Sequence, residues 1–191
     1  MRAAIVLSLV LAVACAPGPT STTPTGAPAT PSGGTPAPTS SADGQAQDRV
    51  FRVTVHVGRQ TYRTTEAIDL LATLTYLGPD SRSVVVGSGS GLVGFTLRQL
   101  DGHLEIGWAM TSDCHIYSMD RDVVVPTQYV KSGGFADTDP DAAFMRAFLA
   151  DKLLHLPAGT WQVDAVLDAY VGSCGGERHQ LTASALVQIV P

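Results

Sequence analysis

Three cysteines, five histidines and a run of aspartates are the side chains of this 191-residue chain best suited to metal binding or covalent chemistry. Cys114 is followed directly by His115, a pairing that would serve a thiolate nucleophile whose proton is drawn off by an imidazole. The same cysteine has a rival use in a disulfide with Cys174, which an exported chain forms by default in oxidising surroundings. Closing a loop of that length stabilises by about 4 kcal/mol in the chain-entropy model. A nucleophile suits a free thiol, and the pairing leaves none in this part of the chain, so the disulfide is the expectation.

Asp137, Asp139 and Asp141 alternate like the first ligands of a calcium loop. Residue 142 is Ala where that loop needs glycine, and residue 148 is Phe where it needs a bidentate glutamate. The same residues read as a helix start, with Asp139 as N-cap, Pro140 in the first turn and Asp141 at the positive helix end. The three aspartates therefore stand only as weak metal candidates. Gly87-Ser88-Gly89-Ser90-Gly91 invites a phosphate-loop reading, but a strand pattern follows it rather than a helix, and no lysine is near. A flexible connection between strands is the expectation. His56, His103, His115, His155 and His179 show no metal-ligand spacing, although folding could bring His115 and His179 together beside the two cysteines. No Ser/His/Asp motif or glutamate pair stands out. The chain reads as non-catalytic, with no cofactor expected.

Those residues must be held by some framework, and the composition divides the chain into three parts. Residues 1–14 have one positive charge and then an apolar run too short to cross a bilayer as a helix, in the proportions of a signal peptide. Residues 15–47 hold seven of the twelve prolines and no Val, Leu, Ile or aromatic residue, so burial cannot offset the entropy of ordering them. They read as a disordered tether spanning between roughly 30 Å as a coil and about 100 Å in polyproline II. Residues 48–191 carry nearly all the charge and form a length typical of one domain. No basic patch appears in them, which argues against a nucleic-acid partner.

Within residues 48–191 the hydrophobic period is two. Phe51, Val53, Val55 and Val57 share a face against Arg52, Thr54 and His56, and Ile68 to Tyr76 alternate likewise. Further strands are expected over 83–86, 92–100, 104–110, 123–130, 161–171 and 180–190, with Asp101-Gly102 as a hairpin turn. Residues 111–121 and 172–179, which contain the cysteines, are expected as loops. One helix after Asp139 should turn Phe144, Phe148, Met145 and Leu149 inward and end at Leu156-Pro157. The fold expected is all-β, an antiparallel immunoglobulin-like β-sandwich of about eight strands, with one short helix before the penultimate strand.

Leu11-Ala12-Val13-Ala14-Cys15 resembles the lipobox of bacterial lipoproteins, although Ala12 stands where leucine is commonest. The resemblance implies cleavage before Cys15, acylation of its thiol and a membrane-held mature N-terminus. Ala12-Val13-Ala14 would also serve plain secretion, but that leaves an odd thiol, whereas lipidation leaves the even pair Cys114 and Cys174. Leu156-Pro157-Ala158-Gly159-Thr160-Trp161-Gln162-Val163 and Glu66-Ala67-Ile68 resemble strand starts in bacterial immunoglobulin-like and fibronectin type III-like modules. The hairpin from Phe95 to Gly102, followed by a strand ending in Trp108, is similar to the intracellular proteinase inhibitor domain family. These resemblances imply fold more than function.

The expectation is an extracytoplasmic, lipid-anchored, non-catalytic module. It would meet the membrane through its lipid and a protein or cell-envelope partner through the cysteine-bearing loops, with His115, Tyr117, Glu177, Arg178 and His179 as the binding residues. An inhibitor-like or chaperone-like envelope regulator is the alternative, and a metal-dependent or hydrolytic enzyme ranks last.

Overall fold

Alternating side chains over residues 159–190 build the longest feature of the molecule. The computed structural model describes residues 42–78, 82–89, 91–111 and 113–191. In it β10 (Gly159–Val171) and β11 (Glu177–Val190) pair antiparallel from Gly159↔Ile189 to Val171↔Glu177. On one face of this hairpin Trp161, Val163, Ala165, Leu167 and Ala169 of β10 and His179, Ala183, Ala185, Val187 and Ile189 of β11 are buried, with Leu181 half-buried among them.

The other edge of β10 takes two strands in succession, β6 (Val93–Gln99) along residues 161–167 and β5 (Ser83–Ser88) at residues 170–171. Both run antiparallel to β10, so β5 and β6 are one long path interrupted at the glycine-rich run. Beyond β5 lies β8 (His115–Asp120), and beyond β6 lies the short β7 (Glu105–Ile106). The far edge of β11 pairs in parallel with β3 (Thr61–Arg63), the one parallel contact in a sheet expected to be antiparallel throughout. It arises because the chain changes sheets immediately after β2 (Phe51–Val57).

The second sheet has the order β1-β2-β4-β9, with β1 over Gly44–Gln47, β4 over Leu70–Tyr76 and β9 over Val124–Gln128. Phe51, Val53, Val55, Val57, Leu70, Ala72 and Leu74 project from it onto the hairpin face, and the two layers enclose one core. The described residues thus form an all-β sandwich with a single short helix, α1 (Ala142–Ala150), placed before the penultimate strand. Phe148 is buried in the core, and Phe144, Met145 and Leu149 pack beside it, as the periodicity predicts. Lys131 closes the helix C-terminus, its Nζ donating to the carbonyls of Phe148 (2.6 Å) and Asp151 (3.0 Å).

Several expectations are corrected. The tether does not run to residue 47, because β1 pairs with β2 from Gly44↔Val55 to Gln47↔Arg52, and Ala42 is already buried. A four-residue edge strand needs little apolar content, and Gly-Gln-Ala-Gln hides its role. The rest of the tether, the signal segment and Cys15 lie outside the described residues. Residues 115–120 are a strand rather than a loop. The strand expected to reach Met110 stops at Ile106, after which the chain leaves the sheet and lays Trp108 against Gly94. The helix begins at Ala142 rather than beside Asp139. Asp139 instead closes a turn, its Oδ2 accepting from the Ala136 amide at 2.7 Å.

At Gly44 the two sheets approach closely, since a Cβ there would overlap the Ser184 carbonyl. Gly44→Val should therefore cost about 1–3 kcal/mol in urea unfolding. Gln45→Val, at an exposed neighbouring position, should be nearly neutral. Equal effects of the two would refute the close approach.

Candidate functional site

Glycines at alternate positions share one face of a strand, and that spacing builds the most distinctive surface of the molecule. A Cβ on Gly87 would press on the backbone of Ser173 and Cys174, and one on Gly89 would meet the Thr111 carbonyl at 2.6 Å. The bare face therefore seats two connecting segments, one at Thr111 and Asp113 and the other the β10–β11 turn at Ser173 and Cys174. Gly172, at φ +91°, starts that turn, and its amide donates to the Val85 carbonyl at 2.8 Å. The Thr111 hydroxyl donates to the Gly89 carbonyl. Cys114 and Cys174 are joined as a disulfide across 60 residues of sequence, with Cα atoms 6.1 Å apart. Both are exposed, so the bond fastens surface segments rather than the core. We call this arrangement the strap.

The five predicted binding residues do not converge. By register, His115 and His179 lie in one cross-strand row but are separated by β5 and β10, roughly 14 Å at ordinary strand spacing. Tyr117 stands opposite Val86, half-buried at the sheet edge. Arg178 turns to the outer face and clamps Asp168 with two bonds of 2.8 and 2.6 Å, its guanidinium 5.9 Å from the Tyr170 ring centre. The Arg178 hydrogen bonds hold the Asp168 carboxyl below its ordinary value, against partial burial.

His179 points inward and is buried, its Nδ1 2.8 Å from Asp48 Oδ2 and its ring edge-on to Phe51. Asp48 Oδ1 accepts from the amides of Val50 and Phe51, both at 2.7 Å. Desolvation opposes the Asp48 charge, but the His179 bond and the two amides outweigh it and lower its pKa. Glu177 lies 3.9 Å from His179 Nε2 and is exposed. Sequence reading missed Asp48 by placing it at the boundary of the tether. Its signal is an aspartate two and three residues ahead of Val50 and Phe51, whose amides it caps in a side-chain turn.

The calcium-like aspartates also part company. Asp137 binds Arg146 at 2.7 Å, Asp139 holds its own turn, and Asp141 meets His103 at 3.0 Å. Among the described residues no three His, Cys, Asp or Glu side chains are placed to share a metal ion.

Two hollows adjoin the β7–β8 connection. A cleft of about 250 Å³ opens between β6 and β9, lined by Phe95, Trp108 and Tyr129. The Tyr129 hydroxyl is buried in protein without a hydrogen-bond partner, and burial pushes its pKa up to about 12. A groove of about 550 Å³ lies beside the start of α1. The chain matches no protein-family model, no curated protein and no solved structure.

Replacing both strap cysteines by serine should lower stability by on the order of 2–4 kcal/mol in denaturant unfolding, with the circular dichroism of the β-sheets retained. An unchanged midpoint would remove the strap's mechanical role. Asp48→Asn should be destabilising at neutral pH. Because folding depresses the Asp48 pKa below its ordinary 3.8, the wild type's advantage is present above that value. It is then lost as pH falls through the lower folded value. A stability gap that stays constant from pH 6 to the acid limit would contradict the assignment.

Proposed function

We propose that this chain is a membrane-anchored extracytoplasmic lipoprotein whose β-sandwich is a non-catalytic binding module presenting the strap to a protein or cell-envelope partner. Cys15 carries the acyl anchor in this reading, and the Pro/Thr/Ser-rich stretch after it is the spacer. The observation that carries the proposal is the disulfide that fastens two exposed segments onto the bare face at Gly87 and Gly89. Segments already ordered before contact lose less conformational freedom on binding, which is how a loop surface gains affinity. The cysteine count supports the anchor, since Cys114 and Cys174 are used on each other and Cys15 is the third. Two acyl chains on one residue suffice for stable membrane attachment.

A photo-crosslinking side chain placed in cells at His115 or at Ser173 tests the binding surface, with Leu186 as a distant exposed control. The expected result is the same adduct from both strap positions, none from residue 186, and loss of the adduct when both cysteines are serine. Equal labelling from all three positions, or none from the strap, would overturn the surface assignment. The intact mass of the mature protein tests the anchor independently, and an unacylated N-terminus would end that part of the proposal.

A further inference from the structure

The groove beside α1 combines carboxylates with aromatic and thioether surface. It is lined by the carboxylates of Glu105, Asp139 and Asp141 and by the apolar bodies of Trp108, Phe135 and Met145, with no lysine or arginine among its lining residues. We propose that it binds a small organic cation, an ammonium group on an apolar body. None of its lining residues belongs to the strap, so the site stands apart from the function proposed above.

Charge and ring chemistry together select this ligand class. The indole of Trp108 lies on Gly94, where any Cβ would overlap it, and this bare backbone seats the ring while leaving it half-exposed beside the groove. Aromatic faces attract cations through their quadrupole, and tryptophan does so best. Phe135 at the groove margin already accepts one, since the Arg146 guanidinium sits 5.3 Å from its ring centre. That arginine is held by Asp137 at 2.7 Å and so does not neutralise the groove carboxylates. Arg98 is the cross-strand neighbour of Glu105, but its ion pair is with Asp164 at 3.9 Å. Asp139 accepts the Ala136 amide and has no cationic partner among the described residues, and Asp141 meets the exposed imidazole of His103. The three carboxylates ring the groove without converging as a metal ion would require. A diffuse anionic rim around aromatic and thioether surface fits a bulky, weakly hydrated cation instead.

The chain has two tryptophans, and Trp161 is fully buried with its Nε1 bonded to the Pro157 carbonyl, so Trp108 is the optical reporter. Choline is titrated into the full chain while fluorescence is followed, beside 3,3-dimethylbutanol, which has the same shape without the charge. Saturable quenching by choline is expected, with the neutral isostere about tenfold weaker. Glu105→Gln should weaken choline about fivefold with an unchanged melting temperature, since Glu105 is exposed and its removal leaves no buried group unpaired. Calorimetry on Trp108→Leu should show a comparable loss of affinity. Equal response to the neutral isostere, indifference to Glu105→Gln, or no saturable response to choline would each overturn the proposal.

Discussion

Thirteen consecutive residue pairs hold β10 against β11, and almost every other element takes its position from that ladder. One edge of the hairpin recruits β6 and then β5, the other recruits β3, and its apolar face receives β2. The root is fixed by polar bonds. The Trp161 indole donates to the Pro157 carbonyl at 3.0 Å, and both oxygens of Asp101 accept from the Thr160 amide at 3.0 Å. With the root fixed and the register set by burial of alternate side chains, the place where the hairpin turns is also set. Cys174 therefore arrives over Gly87 as a consequence of the ladder, and the disulfide fastens a meeting that strand pairing has already arranged.

Glycine is used in this fold for close approach. Inside a strand it costs about 0.5–1 kcal/mol relative to alanine, so each such position must be offset by something. At Gly44 the return is contact between the sheets through Ser184, at Gly94 it is a seat for Trp108, and at Gly87 and Gly89 it is the strap. Gly91 differs, since its φ of +91° serves the break between β5 and β6 and a Cβ there would meet nothing within 4 Å among the described residues. That break lets two strands share one edge of β10. Ser88 steadies it from inside, its hydroxyl directed to the carbonyls of Gly91 and Asp168.

How much of this was legible in the sequence depended on burial. β2 and the hairpin carry an unbroken alternation because one whole face of each is covered, and period-two reading finds them readily. β8 escapes because it is an edge strand with only Met119 buried and Tyr117 half-buried, while Ile116 on the opposite face is 56% exposed. β1 and β3 are too short and polar for periodicity to register. In the site, the cysteine pair could be foreseen from export chemistry and counting. The glycine run reads locally as a connection between strands, but Gly87 and Ser88 belong to β5, and the use of Gly87 and Gly89 lies in what rests on them. The spacing at positions 87 and 89 was visible, but the groups that need that bare face come from Thr111, Asp113, Ser173 and Cys174, and nothing local announces them. The predicted binding residues do not come together for a related reason. Nearness to a cysteine in sequence does not say which face of a strand a side chain takes, and Arg178 and His179 take opposite ones.

The placement of the strap relative to the start of the sandwich bears on how such a module could act. Asp48, in the turn between β1 and β2, is bonded to His179 near the tip of the hairpin, so that turn lies at the strap end. From Asp48 back to Ala42 the chain runs down the sheet edge, past the Ser184 contact at Gly44, to the hydrogen bond that the Ala42 amide donates to the Val57 carbonyl. Six extended residues cover roughly 20 Å. The strap and the point where the sandwich begins are therefore at opposite ends of the layer. A module held from its N-terminal side would carry the strap on its far end, where a partner can reach it without meeting the support. The part-buried pair of Asp48 and His179 ties the end of β1 to the hairpin beside the strap, so the strap end of the layer is bonded across both sheets.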